Sequence, residues 1–315
     1  MEYRFLGRTG LRVSRLCFGT LAIGPLQADL PLAAGEGLLE EAVARGVNFF
    51  DTAESYGTYS YLAALVRRMQ TPPVLATKTY AHTREGARRS LDRALTELGV
   101  SWVDLFLLHE QESAATLEGH RPALEYLAEQ RDEGRVKAIG VSAHAVAAVE
   151  AAATHPLIDV IHPLINRAGL GIRGGDLPAM LRAVESAHGE GKGIYAMKAL
   201  GGGLLREEAP AALAYVAALP GVDAVAVGMR DVAELEANLA ILAGEEIPAA
   251  SSCRLASIPR RVRVEEDCAG CGRCVEACPQ GALELLEGKP VADPAACILC
   301  GYCGAACPHF CIRVV

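Results

Sequence analysis

The chain has 315 residues, 51% of them hydrophobic and 22% charged, with a formal net charge of −8. This is enough apolar material for one large domain and a small one in a soluble globular protein. No stretch approaches the roughly 18 uninterrupted apolar residues of a membrane-spanning helix, and an acidic balance argues against nucleic acid or an anionic membrane as the main partner.

In chain order, the first element is a β-hairpin from Tyr3 to Ser14, turned by Arg8-Thr9-Gly10. Short aliphatic or β-branched runs then alternate with longer segments of helical periodicity. Strands are predicted over Leu16 to Thr20, Asn48 to Ala53, Val74 to Lys78, Leu105 to His109, Val136 to Ser142, Val160 to Asn166, Gly193 to Lys198 and Val222 to Gly228. Helices are predicted over Gly37 to Arg45, Ser60 to Met69, Arg84 to Leu98, Arg121 to Glu133, Ala145 to Thr154, Asp176 to Glu190, Glu207 to Leu219 and Val232 to Leu242. Eight strand-helix units in about 230 residues are the size of a (β/α)8 TIM barrel, whose lower, N-terminal mouth the hairpin would plug. Gly46, Gly99, Gly134 and Gly193 stand where a left-handed residue ends a helix before a strand. A doubly wound open sheet is the competing fold, disfavoured because no G-x-G-x-x-G turn follows the first strand.

The barrel is expected to occupy residues 1–242, with a linker over 243–262 and a small α+β iron–sulfur domain over 263–315. Extended, residues 243 to 260 would reach roughly 50 to 60 Å, enough to return up the side of a barrel about 30 Å tall. The basic run Arg260, Arg261 and Arg263 is followed at once by Glu265, Glu266 and Asp267 and reads as a solvated linker, with a docking patch for an acidic electron carrier as the alternative.

The last segment carries two cysteine runs of one spacing. Cys268, Cys271, Cys274 and Cys278 precede Pro279, and Cys297, Cys300, Cys303 and Cys307 precede Pro308. Each reads C-x2-C-x2-C-x3-C-P, in which three thiolates serve one cubane and the fourth serves the other. Two [4Fe–4S] clusters are implied, with Cys268, Cys271, Cys274 and Cys307 on one and Cys297, Cys300, Cys303 and Cys278 on the other. The stretch resembles the bacterial two-cluster ferredoxins. Zinc usually takes paired C-x2-C elements, and a disulfide framework needs an export signal, which MEYRFLGRTG is not. Cytoplasmic localisation is the expectation. Cys17, Cys253 and Cys311 fit no ligand spacing and read as buried inert thiols.

In a barrel, chemistry belongs at the C-terminal strand ends. Asp51 ends the second strand, Tyr56 follows on its loop, Lys78 ends the third strand and His109 the fourth. Such a set makes an acid site: Lys78 lowers the phenol pKa of Tyr56, Asp51 holds Lys78, and His109 positions a carbonyl oxygen. Singly, each residue has an ordinary structural explanation; together, at consecutive strand ends, they do not.

The run Gly46 to Gly57, with Thr77-Lys78, the stretch Asp104 to His109, the opening Tyr3 to Gly19 and Gly140-Val141-Ser142, resembles the aldo-keto reductases over residues 1 to about 242. The ferredoxin-like end resembles the iron–sulfur subgroup of that family. The resemblance implies that Asp51, Tyr56, Lys78 and His109 are the catalytic tetrad of an NADPH- or NADH-dependent carbonyl reductase. It further implies cofactor contacts from Gly19, Thr20, Ser142, Asn166, Lys198, Gly228, Arg230 and Asn238. Two positions depart from the pattern. Glu234 stands where the family's phosphate-gripping arginine is usual, which shifts weight toward NADH unless Arg230 substitutes. His162 replaces a glutamine beside the nicotinamide. The loop Lys198 to Gly203 reads either as a pyrophosphate cradle or as a simple flexible loop. Trp102 falls at the lower end of the fourth strand and is expected to pack there. The upper loops look short, so an open or partner-completed pocket is expected.

Nicotinamide delivers two electrons together, whereas each cubane passes one, and nothing announces a flavin, although one is left open. Three organisations follow: a carbonyl reductase exchanging electrons with an external carrier, a reductase with structural or oxygen-sensing clusters, or an electron-transfer module whose barrel binds a cofactor without turnover. The substrate in the first two is a small carbonyl or alcohol.

Overall fold

Leu6, Leu11 and Val13 of the N-terminal hairpin point into one apolar cluster with Cys17, Phe49, Leu105, Leu107, Val160 and Tyr195 from the barrel interior. The computed structural model describes residues 1–257, 261–297 and 299–314; Arg260 lies outside the described residues. The hairpin pairs Tyr3–Phe5 antiparallel with Arg12–Ser14 and closes the lower mouth.

Eight parallel strands close around that interior: β1 (Leu16–Gly19), β2 (Phe49–Asp51), β3 (Val74–Thr79), β4 (Val103–Gln111), β5 (Val136–Ala143), β6 (Val160–Pro163), β7 (Gly193–Ala196) and β8 (Ala224–Gly228). β8 pairs with both β7 and β1, which completes the ring. Alternation sorts the side chains: Cys17 faces inward, while Leu16 and Phe18 face the outer helices. Those helices are α1 (Leu32–Ala44), α2 (Tyr59–Arg68), α3 (Arg84–Leu98), α4 (Arg121–Asp132), α5 (Val146–Ala153), α6 (Leu177–Gly189), α7 (Ala209–Ala218) and α8 (Val232–Ala243). Thr83, Asp176 and Asp231 cap α3, α6 and α8 with side-chain oxygens.

Several expectations need correction. α1 starts at Leu32 rather than Gly37, because Pro31, at φ −52°, already sets the helical entry. Asn166 and Lys198 stand just beyond β6 and β7 rather than within them. The left-handed glycine before β7 is Gly191, at φ +81°, not Gly193. Gly193 is small for another reason: a β-carbon there would stand 2.7 Å from Leu6 Cγ of the plug. A short capped helix, Ala114–Gly119, was not anticipated. Nor does the expected linker run extended: it contains the helix Ala249–Ala256, where Ser251 hydrogen-bonds Glu236 and Arg254 faces Asp231 at 3.4 Å. Cys253, on that helix, is exposed rather than buried, because Ser251 is the residue the helix buries. Trp102 does stand at the lower end, 38% exposed, with the Lys137 ammonium 4.8 Å over its ring.

The C-terminal segment pairs Val262–Val264 with Ile312–Val314 and Leu283–Leu286 with Lys289–Ala292. Two one-turn helices, Arg273–Glu276 and Tyr302–Ala305, each follow a left-handed glycine, Gly272 and Gly301. Cys274, Leu283, Cys303 and Ile312 form its small core.

Candidate active site and cluster-binding segment

The parallel register brings Gly19, Asp51 and Ala76 level at the upper rim. Beyond Asp51 a single 3-10 turn, Glu54–Tyr56, ended by Gly57 at φ +67°, folds Tyr56 back over the mouth. Hydroxyls lock this loop: Thr20 Oγ1 donates to Asp51 O at 2.9 Å, and Thr58 Oγ1 lies 2.8 Å from Thr20 Oγ1 and 2.7 Å from Thr52 Oγ1.

The four acid-site residues converge. Lys78 Nζ donates to Asp51 Oδ1 at 2.5 Å and to Thr52 O at 2.9 Å, and lies 5.0 Å from the centroid of the Tyr56 ring. Tyr56 Oη is 3.5 Å from His109 Nε2. The expectation that Lys78 lowers the phenol pKa is not met. The ammonium faces Asp51, while burial first, then Asp51 and Glu110, push Tyr56 well above the usual tyrosine range. Burial and the neighbouring Lys78 hold His109 well below the usual histidine range, so its ring is neutral, and its buried Nδ1 has no hydrogen-bond partner among the described residues.

Three further residues shape the site. Tyr195 Oη donates to Asp51 Oδ2 at 3.0 Å, so the carboxylate is held from both sides. Its ring stacks on His162 at 3.8 Å, and burial brings His162 down to about 4. Tyr80 stacks on His109 at 4.4 Å and donates to Glu110 at 2.9 Å. Inward parity within Gly193–Ala196 was the available signal for Tyr195. Tyr80 and Glu110 carried none, because Glu110 takes a left-handed φ of 50° that no local pattern announces.

The residues expected to hold a nucleotide are arranged less uniformly. Gly19 and Gly228 are level on neighbouring strands. Ser142 Oγ accepts from Glu110 N at 2.8 Å. Asn166 closes its own loop, with Nδ2 on Leu170 O at 2.8 Å and Oδ1 receiving Leu170 N at 2.9 Å. Arg230 is bound by Glu234, whose Oε1 lies 2.7 Å from its guanidinium and whose Oε2 accepts its backbone N–H at 2.7 Å. Asp231 Oδ1 takes Glu234 N at 2.9 Å and fills the N-terminus of α8 with a carboxylate; Asn238 is buried one turn further on. Two acids and a neutralised arginine therefore gather at the start of α8. Lys198, at φ +58°, is partly buried, which brings its ammonium down to about 8.

In the C-terminal segment a small apolar cavity is lined by Cys278, Cys297, Cys300 and Cys303 with Pro279, Ala282 and Leu283. Cys274 has Cys307 and Cys268 as its near thiol neighbours, the complementary set. Ala282 N donates to Cys278 Sγ and Cys311 N to Cys307 Sγ, both at 3.3 Å. Thiols from both runs around one apolar cavity, with backbone N–H groups on the sulfurs, fit iron–sulfur ligation. Among the described residues no three His, Cys, Asp or Glu side chains stand at single-ion distances. Of the remaining thiols, Cys17 and Cys311 are buried and raised by that burial, Cys311 to about 12.

The two parts meet at the upper mouth. Arg173 donates to Glu112 Oε1 at 2.9 Å and lies 2.8 Å from His309 Nδ1, and Leu204 packs on Gly301 and Gly304. The C-terminal segment thus packs against loops of the upper mouth.

A closed eight-stranded parallel barrel with an acid cluster at its upper rim, joined to a cysteine-rich segment, defines an oxidoreductase with an iron–sulfur module. The chain matches the Aldo/keto reductase family over residues 15–210 and a 4Fe-4S dicluster domain over residues 260–308, and it belongs to the aldo/keto reductase family. It is 24% identical to the L-galactose dehydrogenase of Arabidopsis thaliana, over 76% of this chain and 88% of that protein. PA4992 of Pseudomonas aeruginosa, assigned to the aldo-keto reductases, is 27% identical, with a TM-score of 0.66 over 77% of this chain and 95% of that one. The aldo-keto reductase AKR11C1 of Bacillus halodurans shares the fold, with a TM-score of 0.68 at 18% identity over 81% of this chain and 95% of that one. Among the described residues no helix is long and apolar enough to cross a membrane.

Proposed function

We propose that the barrel, residues 1–242, reduces a small aldehyde or ketone with hydride from a nicotinamide cofactor, or runs the reverse alcohol oxidation. Residues 263–315 hold two [4Fe–4S] clusters, one on Cys268, Cys271, Cys274 and Cys307 and one on Cys278, Cys297, Cys300 and Cys303, and residues 243–262 join the parts. The observation that carries the reading is the convergence of Asp51, Tyr56, Lys78 and His109 at one rim.

A bound nicotinamide supplies the hydride. Tyr56 keeps its proton at physiological pH because burial disfavours the phenolate. It therefore enters the reaction as an acid and yields that proton to the carbonyl oxygen as negative charge builds there. Lys78, over the ring face, offsets the charge left on the phenolate, and Asp51 with Tyr195 keeps Lys78 in place. Neutral His109 donates a hydrogen bond that positions the carbonyl oxygen. Asp231 and the Arg230–Glu234 pair favour NADH over NADPH.

The test is carbonyl-dependent loss of nicotinamide absorbance with the anaerobic, iron-reconstituted full chain. The panel is short aldehydes, ketones and aldoses, the last suggested by the likeness to L-galactose dehydrogenase. Nucleotide binding without turnover on any of them would favour an electron-transfer or redox-sensing protein whose barrel holds its cofactor passively.

A further inference from the structure

Phe310 belongs by sequence to the iron–sulfur segment and by position to the barrel mouth. It stands three residues beyond Cys307 with a left-handed φ of 56°, and the matching position beyond Cys278 is Gly281, at φ 59°. The backbone of the cysteine repeat favours glycine there, so the phenylalanine takes a conformation that L side chains rarely adopt. Its ring is seated against Gly171 and Gly202, where added β-carbons would lie 1.7 and 3.0 Å from ring atoms. Above it, Lys198 Nζ lies 4.7 Å from the ring centroid.

The Lys198 ammonium makes no hydrogen bond or ion pair among the described residues and faces the Phe310 ring instead. The charges acting on it come from both halves: Glu110 and Arg173 from the barrel, Arg313 and Cys311 from the iron–sulfur segment. The mouth below is rich in nitrogen bases and cations, with Lys78, His109, His144 and His162 in one another's fields. A cation with no ion pair among the described residues, half out of water and against an aromatic ring, is a place for an anion.

We propose that Lys198 is a cation shared by two sites: it binds the pyrophosphate of a nucleotide at the barrel mouth, and it stabilises the electron added to the cluster held by Cys268, Cys271, Cys274 and Cys307. The inference rests on the reading that the mouth takes a nucleotide and the segment holds clusters. Each occupant brings negative charge to one ammonium, so each weakens the other, and linkage makes the effect reciprocal. Reduction of the cluster by one electron loosens the nucleotide; nucleotide binding lowers the cluster potential.

The test is an EPR-monitored reductive titration of the reconstituted full chain with dithionite, alone and saturated with inorganic pyrophosphate or ADP-ribose. Binding is measured separately in the oxidised and reduced states. Both probes are expected to lower one of two midpoint potentials by the amount their affinity falls on reduction, about 59 mV for tenfold. Lys198→Gln should lower that potential without any ligand and abolish the ligand-induced shift, and Lys198→Arg should restore both. Equal affinity in both redox states, absence of binding, or a shift that survives Lys198→Gln would overturn the proposal. Carbonyl turnover is not read in any arm, so failure of the reductase assignment and failure of the coupling remain distinguishable.

Discussion

Tyr195 and Asp51, 144 residues apart in the chain, share a 3.0 Å hydrogen bond at the centre of the site. It occupies the carboxylate oxygen that Lys78 leaves free, so Asp51 is oriented by a neutral donor and a cation together. Tyr195→Phe removes one charge-assisted bond and is expected to cost about 1.5 to 3 kcal/mol in a urea titration. Carbonyl turnover should fall less than in Tyr56→Phe, because the Lys78–Asp51 pair survives. An equal loss in the two variants would give Tyr195 a more direct part in the reaction.

Lys78 and Asp51 are both buried, so removing one partner strands the other. Lys78→Met should destabilise by about 3 to 5 kcal/mol, and adding Asp51→Asn should recover part of that loss. Additive losses in the double variant would contradict the pairing.

Gly171→Ala places a methyl group on the Phe310 ring, whereas Gly174→Ala, at a similar positive φ, meets open space. Both pay the left-handed penalty of about 1 to 2 kcal/mol. Only Gly171→Ala should also unseat the iron–sulfur segment, seen as faster proteolysis between residues 243 and 262 and an altered cluster EPR spectrum. Identical behaviour of the two variants would argue against the Phe310 seat.

His109, His144 and His162 are all held below the usual histidine range, first by burial. The unfolded chain therefore binds more protons than the native one below pH 6.5, and stability falls as pH drops through that window. His162, down to about 4, alone accounts for roughly 3 kcal/mol between pH 7 and pH 4. Anaerobic urea midpoints at pH 7.5 and 5 check this, with His162→Gln expected to flatten the difference.

Glu234→Ala frees the Arg230 guanidinium and removes one acid from the start of α8. The affinity ratio of NADPH to NADH is expected to rise about tenfold or more, measured by fluorescence quenching. No change would place the 2′-phosphate away from Arg230.

Much of this architecture was legible because its signals are local. All eight strand-helix units follow from hydrophobic period, and both cysteine runs from spacing alone. Asp51, Tyr56, Lys78 and His109 could be grouped because barrel topology converts strand order into proximity. What escaped depends on long-range contact. Tyr195 reaches Asp51 across the barrel interior, and the Lys78 ammonium faces Asp51 rather than the Tyr56 hydroxyl. The exposure of Cys253 and the seat of Phe310 depend on how the C-terminal segment folds back, which no periodicity encodes.

The most direct test of the central claim is anaerobic single-turnover oxidation of NADH by an aldehyde accepted in the panel, with wild type compared with Tyr56→Phe. The account predicts that Tyr56→Phe binds NADH as tightly but transfers hydride about 10²- to 10⁴-fold more slowly, as loss of a general acid requires. Hydride transfer at the wild-type rate in Tyr56→Phe would contradict it.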